Sequence, residues 1–171
     1  MMEKKMLDEL NNQINEEIFS SYLYLSMAAY FENSNFPGFA TWMEVQAQEE
    51  MVHAMKFYGY VIERGGKIDL KAIEKPQSEW ESPVHAFKAA LEHEKHITSR
   101  INYLYKTARE VIDPATEIFL NWFVTEQVEE EANASEIVAK MEMIKDAPSA
   151  MYMLDKELGA RIPLYTMPVA Q

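Results

Sequence analysis

One spacing occurs twice in this chain and limits how it can fold. In each copy an acid is followed, 33 and 36 residues later, by two polar residues. The copies are Glu17 with Glu50 and His53, and Glu94 with Gln127 and Glu130. Residues three positions apart share one face of a helix. The spacing therefore predicts two helical hairpins, each of which places one acid opposite a polar pair.

Proline and glycine divide the chain into five predicted helices within a single domain, 1–171. The predicted helices span residues 5–33, 37–64, 83–111, 114–145 and 148–158, with a crossover at 65–82 and a tail at 159–171. Ser82 before Pro83, and Asp113 before Pro114, are typical of helix starts. The four long segments would each run about 42 Å at 1.5 Å per residue.

The segment 65–82 decides the topology. Its 18 residues can reach about 60 Å when extended, which is enough to run the whole length of the bundle. The short turns on either side make antiparallel hairpins, so the long segment makes the second and third helices parallel. We therefore predict an all-α four-helix bundle with one long crossover, between helices 2 and 3, and a short fifth helix.

On a helical wheel, an acid interrupts the apolar stripe of each long helix. The first stripe surrounds Glu17 and contains Leu10, Ile14, Tyr24, Leu25, Ala28 and Phe31. Antiparallel pairing brings the acids of both hairpins to one height near mid-bundle. A buried carboxylate without a partner is costly, so four of them in one core predict a bound cation. A single acid of this kind would be interpreted as a surface glutamate. Four acids on inward faces at matched heights are not explained in that way.

The donor set predicts which cation is bound. Four carboxylates and one imidazole form an oxygen-rich set that favours iron or manganese over copper or structural zinc. Four negative charges are cancelled by two divalent ions, and Glu50 is best placed to bridge them. The pair Gln127 and Glu130 departs from the symmetric di-iron pattern of two Glu-x-x-His pairs. The second ion should therefore be held more weakly, as suits a metal that passes through.

A tyrosine and three histidines lie near these acids in the sequence. Tyr24 lies two turns after Glu17 on the same face, where it could bind a ligand or supply an electron. The alternative is a core tyrosine whose hydroxyl needs a partner. His85, His93 and His96 lie off the inward face of their helix, and we predict that all three are solvated.

Composition excludes several classes of protein. The net charge of −12 argues against nucleic acid and anionic membranes as partners. The absence of cysteine excludes disulfides and thiolate metal sites, and it is consistent with a reducing compartment. No apolar signal region opens the sequence, and no apolar stretch approaches the roughly 20 residues of a membrane span. We therefore expect a cytoplasmic protein.

The chain resembles the prokaryotic non-haem ferritins over essentially its whole length. The matching segments are residues 10–17 (LNNQINEE), 22–24 (YLY), 48–54 (QEEMVHA), 92–94 (EHE), 119–123 (FLNWF), 126–131 (EQVEEE) and 154–158 (LDKEL). The resemblance implies a ferritin-like bundle. It also implies oxidation of Fe(II) by O2 or H2O2, and storage of ferric oxyhydroxide in a hollow shell of 24 identical subunits.

Carried over by position, the resemblance implies two ferroxidase irons and a third iron beside them. The implied ligands are Glu17, Glu50 and His53 for the first iron; Glu50, Glu94 and Glu130, with Gln127 adjacent, for the second; and Glu49, Glu126, Glu129 and Glu130 for the third. Tyr24 is included among the catalytic residues. No haem is expected.

The first helix also carries apolar side chains away from Glu17. A second apolar stripe on the first helix, formed by Phe19, Leu23, Met27 and Tyr30, predicts that another chain packs there. A haem-containing bacterioferritin is one alternative, because Met51 lies where that family has its haem ligand. The second pair, Gln127 and Glu130, weighs against it. The other alternative is a helical shell or adaptor protein without catalytic activity.

Overall fold

The computed structural model describes residues 2–166, so the last five residues of the expected tail lie outside it. Five helices follow one another: α1 (Lys4–Asn33), α2 (Pro37–Glu63), α3 (Pro83–Glu110), α4 (Pro114–Ile144) and α5 (Pro148–Leu158). Between residues 2 and 166 the chain forms no strand. The predicted fold class is confirmed. No helix in this part combines the length and the apolar character needed to cross a membrane.

Side-chain caps explain where α3 and α4 begin. The hydroxyl of Ser82 accepts a hydrogen bond from the backbone N–H of His85 at 3.3 Å. The Asp113 carboxylate accepts one from the N–H of Thr116 at 3.2 Å. Each cap is followed by a proline at the first helical position, where its missing N–H costs nothing.

Tight turns join α1 to α2 and α3 to α4, and each turn contains one residue in the left-handed region. Asn35 has φ 62° and Ile112 has φ 57°. Asparagine tolerates that conformation, whereas a β-branched residue does so rarely. The turns make α1 and α2 one packed pair and α3 and α4 the other, and α1 also packs on α3.

The crossover is a segment without helix or strand that runs along α1, and polar side chains of α1 hold it in place. Asn11 donates to the carbonyl of Lys67 at 3.1 Å and accepts from the N–H of Asp69 at 2.9 Å. Further along, Ser26 donates to the carbonyl of Gln77 at 2.7 Å. These hydrogen bonds pair backbone N–H and C=O groups of the crossover, which has no helix or sheet of its own to pair them.

The apolar core forms two clusters, one towards each end of the bundle. One cluster is built around Phe31, Phe39 and Phe87. The other is built around Phe57 and Phe123. Between them lies a layer of buried polar side chains. This layer contains four buried glutamates and one buried histidine, whose charges have to be balanced.

Two expectations about the faces of α1 are wrong. Leu25, which was placed beside Glu17, is 49% exposed. The proposed outer stripe is not free for a partner, because Leu23 and Met27 are buried in the core and Phe19 and Tyr30 pack against it. The cause is that α1 contacts α2, α3 and the crossover, so a far larger part of its circumference is covered than one bundle face.

Helix α5 docks on the first turn of α2 through an aspartate. Phe36, before α2, supplies no side-chain cap. Instead, the Asp155 carboxylate accepts a hydrogen bond at 2.8 Å from the backbone N–H of Phe39. A negative charge at a helix N-terminus is stabilising. The close approach requires a glycine, since a Cβ at position 38 would lie 1.7 Å from the carbonyl oxygen of Asp155.

Replacing Gly38 by alanine should therefore detach α5 and destabilise the protein by about 1–3 kcal/mol. Thermal unfolding and the mass of the assembled protein would measure both effects. Gly59→Ala in the same helix is the control, because a Cβ there meets nothing within 4 Å. Its expected effect is a gain of up to about 1 kcal/mol from helix propensity. Equal stabilities for the two variants would contradict this account of α5.

Candidate metal centre

The polar layer brings together the residues that the repeated spacing selected. Glu17, Glu50, His53, Glu94 and Glu130 are between 1% and 5% exposed. The ligand atoms of Glu17, Glu50 and His53 all lie within 4.8 Å of one another. Glu17 comes from α1, and the other two come from α2. Two adjacent helices thus supply three ligands that could hold one ion.

The Glu17 carboxylate is only half satisfied. Gln13, one turn earlier, donates to Oε1 at 2.9 Å. Oε2 is buried and has no hydrogen-bond partner. A bare carboxylate oxygen in a protein core is costly unless a proton or a cation accompanies it. This orphaned oxygen is the structural sign that the site fits a metal ion.

His53 belongs to a second set of potential ligands as well. Its ring, Glu126 and Glu130 offer ligand atoms within 4.8 Å of one another. Gln46 connects the two sets, because its amide donates to Glu50 Oε1 at 3.0 Å and to Glu130 Oε2 at 2.8 Å. His53 thus belongs to both sets, and the Gln46 amide is hydrogen-bonded to an acid of each. Two ions could therefore bind side by side.

Glu94 lies outside both sets and is held by two neighbours. The hydroxyl of Tyr24 donates a short hydrogen bond to Glu94 Oε1. The Gln127 amide lies 3.2 Å from both Glu94 Oε2 and the backbone carbonyl oxygen of Glu94. Tyr24 and Gln127 are thus in the centre, and each contacts Glu94 directly.

The remaining two acids of the implied third iron site are placed differently. Glu49 is half-buried and forms an ion pair with Arg161. Glu129 is exposed to solvent. Neither of them belongs to the two sets of clustered ligands among residues 2–166. Of the four acids implied for that site, the structure brings only Glu126 and Glu130 together, beside His53.

Burial controls the protonation of the acids. It raises the pKa of Glu17 to about 8, and the charge of Glu50 adds to the shift. Burial and Glu50 likewise raise the pKa of Glu130 to about 7. The pKa of Glu94 is raised well above its usual value by burial and by its carboxylate neighbours. Without metal, this centre holds protons at neutral pH.

Glu50 and His53 behave as an ion pair. Glu50 Oε2 lies 3.3 Å from His53 Nδ1. Burial alone would lower the pKa of His53, but the hydrogen bond and the charge of Glu50 outweigh it and raise that pKa to about 9. For Glu50 the burial effect is outweighed in the same way, and its pKa is lowered. Glu50 is therefore the ionised acid around which the others keep their protons.

One expectation about the histidines is wrong. His93 is half-buried, and its Nε2 lies 2.7 Å from the hydroxyl of Ser20. Burial lowers the pKa of His93. His93 does not share the inward face with Glu94, but the side of α3 on which it lies is covered by α1. His85 and His96 are exposed.

Sequence reasoning missed three polar residues of the centre. Gln13 and Gln46 each lie four residues before a ligand acid and donate to it. That shared Gln-x-x-x-Glu pattern was visible in the sequence. Arg161 was not predictable in this way, because it reaches Glu49 from beyond α5.

Comparisons with known proteins agree with this geometry. Residues 7–144 match the family model described as a ferritin-like domain. The chain is 39% identical over 161 residues to the bacterial non-heme ferritin of Staphylococcus aureus strain USA300, covering 94% of this chain and 97% of that one. It is 42% identical to the bacterial non-heme ferritin of Bacteroides fragilis strain 638R, covering 94% of this chain and all of the relative.

Solved structures agree as well. The open-pore ferritin of the hyperthermophilic archaeon Archaeoglobus fulgidus superposes with a TM-score of 0.94 at 51% identity. The match covers 95% of this chain and 100% of that chain.

Proposed function

This chain belongs to the ferritin-like family, and from that premise we propose that it is an iron-storage ferritin with ferroxidase activity. Its substrate is Fe(II), and its product is ferric iron stored as an oxyhydroxide. The observation that carries the proposal is the buried centre, where Glu17, Glu50 and His53 converge and one carboxylate oxygen of Glu17 has no partner.

The roles of the ligands follow from their positions. Glu17, Glu50 and His53 take one Fe(II), and Glu50 bridges to a second Fe(II) held by Glu94 and Glu130. Gln127 orients Glu94 through its amide. Tyr24 donates to the same carboxylate and lies close enough to supply an electron. Two divalent ions cancel the charge of the four acids and replace the protons that burial keeps on them.

The chemistry balances with either oxidant. Two Fe(II) ions lose one electron each, and O2 with two protons becomes H2O2. With H2O2 as oxidant, the same two electrons and two protons give two molecules of water. A shared bridge allows both electrons to leave together, which avoids one-electron reduction of oxygen. The two protons are taken up from solvent, because Glu17 and Glu130 release their own protons when the metal binds.

Passage of iron out of the centre is the next step of the proposal. The pair Gln127 and Glu130 offers one carboxylate where a resident di-iron cofactor has Glu and His. Glu126, with His53 and Glu130, provides the adjacent place for a third iron, which Glu49 and Glu129 complete when it binds. Weak ligation on this side favours onward transfer of Fe(III).

Storage requires an enclosed space, and we propose that 24 copies of the chain form a hollow shell in the cytoplasm. Exposed apolar side chains support contacts between copies. Tyr22 and Leu25 on α1 are about half exposed, and Leu70 and Ile73 on the crossover are 64% and 43% exposed. This surface replaces the wrongly predicted outer stripe as the reason to expect a partner chain.

Aerobic loading with Fe(II) tests the function directly. We expect the protein to retain hundreds of ferric ions per particle, which co-migrate with a particle of native mass near 24 times 19.9 kDa. Iron that precipitates outside the protein, at the rate of a protein-free solution, would contradict the proposal.

The haem-containing alternative is not favoured. The relatives described above are non-heme ferritins, and the second pair is Gln127 with Glu130 rather than Glu with His. A Soret band in the purified protein would be needed to revive that alternative. A non-catalytic shell protein has no need of the buried ligand cluster.

A further inference from the structure

The side chain of Arg161 provides a positive charge next to Glu49, beside the centre. Arg161 follows α5, and its Nη2 forms an ion pair with Glu49 Oε2. Its Nη1 donates to Gln46 Oε1 at 2.9 Å. The guanidinium lies over the ring of Trp42, 4.7 Å from its centroid. A planar guanidinium held by three groups has a defined place.

Through Gln46, Arg161 is connected to the ligands of the centre. The carbonyl end of the Gln46 amide accepts from Arg161, so its amino end must face Glu50 and Glu130. Gln46 is completely buried. The orientation of this amide is therefore determined by the arginine on one side and by two carboxylates on the other.

The backbone that carries Arg161 is itself docked on α2. Gln48 accepts from the N–H groups of Leu164 and Tyr165 at 2.8 and 3.2 Å. It also donates to the carbonyl of Tyr165 at 3.1 Å. Arg161 thus comes from a fixed segment and not from a free terminus.

We propose that Arg161 is a displaceable counter-cation: it occupies Glu49 in the metal-free protein and releases this carboxylate when iron enters the third site. The inference rests on the proposed function. A guanidinium and a divalent ion repel each other and compete for the same carboxylate oxygen. Arg161 therefore weakens the third site while contacting no proposed ligand of the first two irons directly, so iron at the third site remains easy to pass on.

The structure explains why Glu49 is absent from the clustered ligands. Its carboxylate forms an ion pair with Arg161, and only Glu126 and Glu130 cluster with His53. Metal binding at Glu126 and Glu130 would offer Glu49 a second partner of higher charge. The exchange needs only a rotation of the Glu49 side chain, because the backbone of the Arg161 segment is anchored separately by Gln48.

Equilibrium binding of Zn(II), which has no redox chemistry, tests the proposal on the assembled protein. Wild type is compared with Arg161→Gln, Arg161→Lys and Glu49→Gln. Lys140→Gln is the matched control, because it removes one positive charge from ion pairs with Glu136 and Glu157, neither of which is a proposed ligand. We expect Arg161→Gln to bind the weakest ion of the three about tenfold more tightly and the other two within twofold of wild type.

The other variants separate the explanations. Arg161→Lys, which keeps the charge, should fall between wild type and Arg161→Gln, and Glu49→Gln should lose the weakest ion. Unchanged affinity in Arg161→Gln, or an equal gain in Lys140→Gln, would overturn the inference while leaving the ferroxidase proposal intact. A wild-type protein that binds no Zn(II) in the bundle would defeat both.

A crystal structure of the zinc-saturated wild type provides a test without any substitution. We expect Zn(II) on Glu49 and a broken contact between Glu49 and Arg161. Zn(II) bound at Glu126 and Glu130 with that ion pair unchanged would refute displacement.

Discussion

Glu50→Ala and His53→Ala should each slow the aerobic oxidation of Fe(II) more than about a hundredfold. Losing even an outer partner of a metal ligand typically costs roughly 10- to 100-fold. Here the lost group is itself a proposed ligand, and Glu50 is the proposed bridge between two ions. Stopped-flow absorbance at two Fe(II) per subunit measures the initial rate.

The bundle should survive both substitutions. Removing one partner of this buried ion pair costs about 3–5 kcal/mol, so both variants should be less stable than wild type but still folded. Far-ultraviolet circular dichroism and native mass check that the fold and the assembly persist. Glu44→Ala is the matched control, since Glu44 is an exposed acid on the same helix. Initial rates within twofold of wild type in both ligand variants would rule out this ferroxidase centre.

The second large effect concerns stability against pH in the metal-free protein. We expect the free energy of unfolding to fall between about pH 5 and pH 9. The folded state raises the pKa of Glu17 to about 8, of Glu130 to about 7 and of His53 to about 9. Above the unfolded pKa of each group, the folded protein binds more protons than the unfolded chain, so stability declines with pH.

Each group loses its contribution to stability over its own pH range. The two acids lose their stabilisation from about pH 4.5 upward until the folded pKa is passed, and His53 loses its share between about 6.5 and 9. Glu50 has the opposite sign, because its pKa is lowered, but its effect is confined to pH below 4.5. Each pKa unit is worth about 1.4 kcal/mol, so the three shifts together correspond to a decline on the order of 10 kcal/mol.

Metal should reverse this decline. Divalent ions bind deprotonated carboxylates, so the stabilisation on adding Zn(II) should grow as pH rises. Thermal melts of the protein with chelator and with Zn(II), from pH 5 to 9, measure both trends. Glu17→Gln cannot ionise and should flatten the chelated profile below pH 8. A metal-free protein that becomes more stable towards pH 8 would contradict the protonation scheme.

The fold could be predicted because its signals are local. Prolines at 37, 83, 114 and 148 begin the helices after α1, and the length of the crossover determines the topology. What surrounds each helix is not local. The helical wheel predicts that Leu25 faces the core and Met27 faces outward, whereas Leu25 is half exposed and Met27 is buried. The wheel gives the direction of a side chain but not how much of the helix its neighbours cover.

The sequence was sufficient to predict that the acids of the centre lie on inward helix faces at matched heights. Glu17, Glu50 and His53 converge as the spacing indicated. The position of Glu49 could not be predicted, since it depends on a partner more than 100 residues away in sequence. Gln13 and Gln46 show that periodicity also selects uncharged residues, whose role appears only when their hydrogen bonds are seen.

Crystals soaked anaerobically with Fe(II), and measured at the iron absorption edge, would locate the bound iron. We expect two anomalous peaks inside each subunit. One lies between Glu17, Glu50 and His53, and the other lies between Glu50, Glu94 and Glu130. Anomalous peaks confined to the protein surface, with none in the polar layer between the two apolar clusters, would contradict the proposed iron centre.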